Sequence, residues 1–340
     1  MRRAADIVAL IYIGVIATVA SVTGAFYVMF PELGALSWDV MEQPNGRWAS
    51  SPVLLALTPA LTGVLGTLVT RTIAYGFVSV LLTVVACIGV IRALRSPVAP
   101  AISAGLLPLV LGVTSWWYPP GILFGSSLLA VISIPWRRYA VSSTVIRPDD
   151  SECVDSTSAA MPVNGGTQPV EAPPGSARRP LLPLLIFVAL AVAAVKLTGM
   201  RFILFPPLVV ILYEMFSFPD HCPWVGRPVS LPVACFLTAA GGYFFRAHLA
   251  SAPLAAMCSM GWGIAVLRVL DFHVPPTLAV ALLPMVMTNP TLGYPIAVGL
   301  GTTLASTWFV LFEKWTGARR DARAVGAPTT TATATLESAD

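Results

Sequence analysis

IVALIYIGVIATVASVTGAFYVMF, residues Ile7 to Phe30, carries no charged side chain. As a helix, about 20 such residues cross the hydrocarbon core of a bilayer. Leu181 to Val195 reads the same way. A membrane β-barrel would alternate polar and apolar residues along each strand, and no such alternation occurs. Hydrocarbon leaves backbone groups no partner but each other, so these runs are expected to be helices. The Ile7 run is longer than a secretory signal core and lacks a clean small-x-small cleavage site, so it is expected to be retained as a span. The rest of the chain agrees. Of 340 residues, 56% are hydrophobic and 11% charged, against roughly 25% charged in a soluble domain.

Several function classes fall away at this level. The net charge of +4 comes from basic residues at the ends of apolar runs, so no nucleic-acid partner is expected. Cys87, Cys235 and Cys258 lie inside apolar runs, and Cys153 and Cys222 outside them. No CxxC pair suggests zinc or redox chemistry. There is no P-loop and no G-x-S-x-G. Asp220-His221-Cys222 and Asp271-x-His273 lack helix-borne ligand spacing, so no metal and no cofactor is expected.

The apolar record breaks once. Tyr139 to Arg179 is rich in Ser, Thr, Pro, Gly and Asp and cannot bury a core. The expected organisation is therefore a membrane unit at 1–138, a disordered cytoplasmic linker at 139–179, a second unit at 180–316 and a disordered tail at 317–340. The two units match without a gap at an offset of 176 residues. Ile88-Gly-Val-Ile-Arg-Ala-Leu94 falls on Ile264-Ala-Val-Leu-Arg-Val-Leu270, Leu106-Leu-Pro108 on Leu282-Leu-Pro284, and Tyr118-Pro119 on Tyr294-Pro295. From 88 to 128, 14 of 41 positions are identical. Shared membrane composition would not align Arg92 with Arg268 and three prolines in one frame, so the halves read as an internal duplication.

Each half then presents a long first span (Ile7–Met29; Leu181–Phe205) and a short Pro-led segment from Pro31 or Pro206-Pro207. Two spans follow (Pro52–Thr70 and Thr72–Arg92; Pro228–Arg246 and Ala252–Arg268). A Pro-started, Pro-interrupted stretch (Pro100–Gly112; Pro276–Thr288) precedes the last span (Tyr118–Pro135; Tyr294–Phe312). Four spans per half put 13 of the 20 Lys and Arg on the side of the N-terminus, Arg71 and Arg246 included; five spans give 11. Basic residues prefer the cytoplasm. The expected fold is thus an all-α polytopic membrane protein of two tandem repeats, each of about four transmembrane helices plus short Pro-led half-helices, with both termini and the linker cytoplasmic in the cell membrane.

A helix that starts inside a membrane at proline aims unpaired N–H groups and a positive dipole end at whatever lies there. Discontinuous helices in transporters hold anions this way; the plainer alternative is a kinked ordinary span. Arg92 and Arg268 end equivalent spans just before the Pro breaks. They read as snorkelling interfacial residues or as cations beside an anion site. Glu214, within Leu212-Tyr-Glu-Met-Phe216, reads as a proton carrier or as the rim of an aqueous vestibule. Lys196 is expected to snorkel.

His273-Val-Pro-Pro276-Thr-Leu-Ala-Val-Ala-Leu-Leu-Pro284 followed by Tyr294-Pro-Ile-Ala-Val-Gly-Leu-Gly301 resembles the HPP family of membrane proteins. So does Phe205-Pro-Pro-Leu-Val-Val-Ile-Leu212 with Pro223-Trp-Val-Gly-Arg-Pro228. The resemblance covers about 200 to 312 and extends to the first half through the repeat. Val274 intrudes between His273 and the prolines, and position 97, the counterpart of His273, is Pro. The resemblance implies about four spans per unit and a small-anion transporter, nitrite being the anion associated with some members. The candidate solute site is then Arg92, Arg268, Pro100, Pro276, His273, Thr277 and Glu214, with the two half-helix starts meeting at the repeat interface. Its partners are a small solute and the lipid bilayer, and a homo-oligomer is compatible. Two other classes stay open: an intramembrane enzyme acting on a lipid or prenyl substrate through Glu214, Asp220 and His221, and a scaffold or sensor subunit.

Overall fold

The first apolar run folds as α1, Arg2–Thr23, and stops where Gly24 takes a left-handed φ of 69°, a conformation cheap only for glycine. The expected span to Met29 is therefore shortened: a 3-10 turn at Phe26–Val28 turns the chain back, and α2, Glu32–Glu42, follows. Next come α3 (Pro52–Thr72), α4 (Phe77–Ala93), α5 (Ala101–Leu111) and α6 (Tyr118–Val145). The second half gives α7 (Leu182–Thr198), ended by Gly199 at φ 72°, a 3-10 turn at Arg201–Leu204, α8 (Pro206–Ser217), α9 (Ser230–His248) and α10 (Ala252–Val269). It closes with α11 (Pro276–Leu282), a 3-10 turn at Leu283–Met285 and α12 (Gly293–Val325). This computed structural model describes residues 2–145, 181–218, 222 and 224–325. Those residues form helices and turns, with no strand among them.

Helices α6 and α12 run about ten residues past their expected ends, to Val145 and Val325. The rest of the linker, residues 146–180, and of the tail, residues 326–340, lies outside the described residues, so the expectation of disorder there is not met with a structure.

Five helices, α1, α3, α6, α10 and α12, are long and apolar enough to cross a membrane. Helices α4 and α7 have 17 residues each, and α9 closes on Arg246 and His248. Outward faces are apolar in a way water would not favour: on α3, Val53, Leu57, Leu61, Val64 and Leu68 form an exposed stripe at helical spacing. Trp116, Trp117 and Trp315 sit exposed near the ends of the bundle, as interfacial aromatics do.

The short Pro-led helices were expected to be half-helices beside four spans; instead each lies within a further pass through the bundle. Segment 96–114 runs along the length of α3. The Thr58 hydroxyl donates to Ser96 Oγ at 2.8 Å near its start, and Arg71 Nη1 donates to the Thr114 carbonyl at 2.7 Å near its end. Likewise α2 returns to the face where α1 begins, for Trp136 Nε1 donates to the Met41 carbonyl at 2.8 Å and Arg268 joins Glu42 to Asp6. Each half thus passes through the bundle six times. Both still begin and end on one face, but α3, α4, α9 and α10 run opposite to the expected direction. Arg71 and Arg246 consequently move to the far face, and Arg47, Arg92, Arg95, Arg227 and Arg268, expected on the far side, to the near one. Arg2, Arg3, Arg47, Arg92, Arg95, Arg137, Arg138, Arg227, Arg268 and Lys314 flank the near face; Arg71, Lys196, Arg201 and Arg246 flank the far one.

Helices α2, α5, α8 and α11 fill the centre, with nearly every side chain buried, and the eight longer helices surround them. Only such wrapping lets non-helical arms sit at membrane depth, because an exposed arm would leave backbone groups unpaired in lipid. The halves interleave: α1 packs on α10 and α4 on α7, while α2 packs on α11 and α5 on α8.

Details recur at the 176-residue offset. Gly66 lies against the Gly105 carbonyl and Gly242 against that of Ala281, approaches that leave no room for a Cβ. The Tyr118 hydroxyl donates to the Ala104 carbonyl at 2.7 Å and that of Tyr294 to Val280 at 2.6 Å. Arg95 (φ 49°) and Asp271 (φ 47°) are the two non-glycine residues with positive φ among the described residues, and each closes the span before the Pro break.

Candidate functional site at the near-face mouth

The polar side chains of the near face converge where α2 ends. The face of α2 that carries Asp39 and Glu42 meets the end of α10 and the 270–275 segment, because α11 packs on α2 and brings His273 with it. Arg268 Nη1 donates to Glu42 Oε1 at 2.7 Å and Nη2 to Asp6 Oδ1 at 2.9 Å. The same Asp6 oxygen accepts from Trp38 Nε1 at 2.8 Å, and the guanidinium lies 5.4 Å from the centre of the Trp38 ring. His273 stacks on Trp38 with ring centres 4.7 Å apart. Its Nε2 faces Asp39 Oδ1 at 3.1 Å and the Gln43 amide at 3.0 Å. One proton on Nε2 serves both when the Gln43 amide presents its oxygen. His273 Nδ1 lies 3.7 Å from Glu42 Oε2, a buried atom without a hydrogen-bond partner among the described residues.

The site is half-buried rather than sealed. Side-chain exposure is 32% for Arg268 and 27% for His273, against 10% for Glu42. Glu214 of α8 lies in the field of Arg47, Asp39 and His273, and Arg47 covers the Phe218 ring at 4.2 Å. Each of these ion pairs and His contacts has one partner in the first half and one in the second; a further pair, Arg2 Nε to Glu42 Oε1 at 3.8 Å, lies within the first half and is exposed on the Arg2 side. The far face holds the halves by a different contact, Arg201 over the Tyr75 ring at 5.4 Å. Burial pushes the Tyr75 phenol up from its ordinary range, while Arg201 opposes the shift.

Of the expected site residues, Arg268, His273 and Glu214 come together, with Pro276 and Thr277 opening α11 just behind His273. Arg92 and Pro100 do not join them. Arg92 is exposed and has no ion pair among the described residues, because the positions matching Asp6 and Glu42 are Leu182 and Phe218. The half-helix starts find their partners in α2 and α8 rather than in each other. Nor do they offer the expected free donors. Around Pro100, the amides of Val98, Ala99, Ala101, Ile102 and Ser103 bond within their own turns; at Pro276, Thr277 and Leu278 do the same. Arg268, expected to balance an anion, is already neutralised by two carboxylates.

Asp6, Asp39, Glu42 and Arg47 were missed in the sequence. Asp39 and Glu42 had a signal, since three residues apart they share a helix face; Asp6 and Arg47 had none, because their partners are distant in the chain. Asp220 and His221, named with Glu214 for the alternative of an intramembrane enzyme, lie outside the described residues. Comparison with protein-family models, with curated proteins and with solved structures finds no match to this chain.

Proposed function

We propose that this chain is a membrane transporter of a small solute, built from two duplicated units that move against each other to open the two faces in turn. The observation that carries the reading is the mouth itself: both ion pairs of Arg268 and every contact of His273 there join one half to the other, so parting the halves breaks them together. Interleaved packing around four central broken helices supports the same mechanics. The recurrence of close helix approaches, tyrosine bonds and positive-φ residues at one offset supports the duplication, and the His273–Pro276 run supports likeness to the HPP family.

The solute is a small monovalent anion such as nitrite, moving together with a proton. Four carboxylates against three guanidiniums and a histidine leave the mouth without the cationic excess that would hold a bare anion, while an anion paired with a proton crosses as a neutral acid. The basic excess of the near face supports its assignment to the cytoplasm of a cell membrane. Purified full-length protein in liposomes, given nitrite or formate with and without an imposed pH gradient, tests this. Uptake accelerated by an inward proton gradient is expected. No uptake of either anion under any gradient, with reconstitution verified, refutes the reading.

A further inference from the structure

Glu32 opens α2 at mid-depth in the bundle and is 1% exposed. The Ser103 hydroxyl of α5 donates to its Oε1, whereas Oε2 is buried without a hydrogen-bond partner among the described residues. Its depth follows from its neighbours. Ser103 is two residues from Gly105, which lies against the Thr62 carbonyl halfway along α3. The other titratable groups around it are Tyr118 of α6 and Tyr294 of α12, both in its field, and Cys87 of α4 behind Gly105. Both tyrosine hydroxyls donate to backbone carbonyls, so neither gives a proton to Glu32. Helices α5 and α11 carry no titratable side chain, and those of α8, Tyr213 and Glu214, lie toward the mouth.

We propose that Glu32, with Ser103, is a proton-binding site at the centre of the bundle, loaded from the mouth along the acidic face of α2. An ionised carboxylate is expensive at this depth, so the site needs a positive occupant. A hard cation takes about six oxygen ligands; one carboxyl and one hydroxyl satisfy a proton and nothing larger. Along α2, Glu32, Asp39 and Glu42 are spaced by seven and three residues and share a face. Two helical turns, about 10 Å, separate Glu32 from Asp39. That distance exceeds any hydrogen bond, so in the closed bundle the proton cannot pass. Water must first enter between the halves, which ties loading to opening. A hydronium then gives its proton to Oε2, an O–H bond forms, and water is released; discharge reverses the step. The matched positions in the second half, Leu208 and Ala279, leave this site single.

The proposal gives the transport reading its coupling group and rests on that reading, yet it has its own measurement. Infrared difference spectra of the full chain in lipid, between acid and alkaline buffer, report the C=O stretch of a protonated carboxyl. A titrating band is expected in the parent protein and its loss in Glu32→Gln. Ser103→Ala should keep the band and move its midpoint by about one pH unit, since a hydrogen bond to a charged group is worth about tenfold in such an equilibrium. If Glu32→Gln fails to fold, Ser103→Ala and Glu32→Asp decide: a midpoint unmoved in both overturns the proposal. So does the absence of a titrating band, or its persistence in Glu32→Gln. Spectra need no solute. A titrating Glu32 in a chain that moves neither nitrite nor formate sinks the transport reading alone; proton-driven uptake intact in Glu32→Gln sinks this one alone.

Discussion

Replacing Arg268 by Gln removes the cation by which the second half holds Glu42 and Asp6 of the first. Two hydrogen-bonded contacts at 2.7 and 2.9 Å are lost, and two carboxylates are left facing each other beside Asp39. Exposed ion pairs are worth up to about 1 kcal/mol, and breaking a fully buried pair costs about 3–5 kcal/mol. With Arg268 32% exposed and its acids 10% and 18% exposed, this pair falls between, at about 2 kcal/mol. At 1.4 kcal/mol per tenfold, that is about a 30-fold shift from the closed mouth toward the open one. Thr277, fully buried behind His273, reports opening. In a background without native cysteines, Thr277→Cys should react with a membrane-impermeant maleimide from the near face about 30-fold faster once Arg268 is Gln. Arg268→Lys should fall between, because an ammonium lacks the fork that spans two carboxylates. A labelling rate unchanged within twofold, with a lowered thermal midpoint, would refute the latch and make the pair a structural tie.

Helix contact supplies a second expectation. Gly66→Val and Gly242→Val each drive a side chain into a backbone carbonyl and should abolish the monodisperse peak on size-exclusion chromatography, whereas Gly89→Ala, with nothing within 4 Å of its added carbon, should leave it unchanged. Topology supplies a third. Single cysteines at Arg71 and Arg246 should label from the face opposite to one at Arg3; labelling of all three from one face would restore the four-pass arrangement.

The apolar runs and the 176-residue offset made the class of fold legible, because hydrocarbon permits few structures and charges are costly in it. The pass count was not legible. Eleven residues of α2 or α5 rise about 16 Å, half of what a span needs, so sequence alone reads them as half-helices. Their non-helical arms complete the pass only because surrounding helices shield them, and that shielding is tertiary. Reversing α3, α4, α9 and α10 follows from that one miscount, and so do the misplaced Arg71, Arg92, Arg246 and Arg268. Proline at the start of α5 and α11 was read correctly as a helix start, but its free donors were not there. Single turns that straddle each proline spend them, Ala101 N–H on the Val98 carbonyl and Thr277 N–H on that of Val274.

Arg92 and Arg268 show where sequence reasoning about the site reached its end. In the aligned frame they are equivalent, each closing a span before a Pro break and one turn before a residue with positive φ. What separates them is the far partner: Asp6 against Leu182, Glu42 against Phe218, His273 against Pro97. The same substitution pattern runs up the centre, with Glu32 against Leu208 and Ser103 against Ala279. Under the proposed duplication, the shared positions are the ones that build the frame, glycines at close approaches, tyrosines on helix carbonyls, prolines at helix starts. The positions that differ carry the acids. A symmetric frame with three acids along α2 and a single one, Glu214 near the mouth, on α8 gives one polar lane beside a largely apolar one. A single lane suits a transporter that binds one proton per opening, since two equivalent carboxyls across the axis would load two.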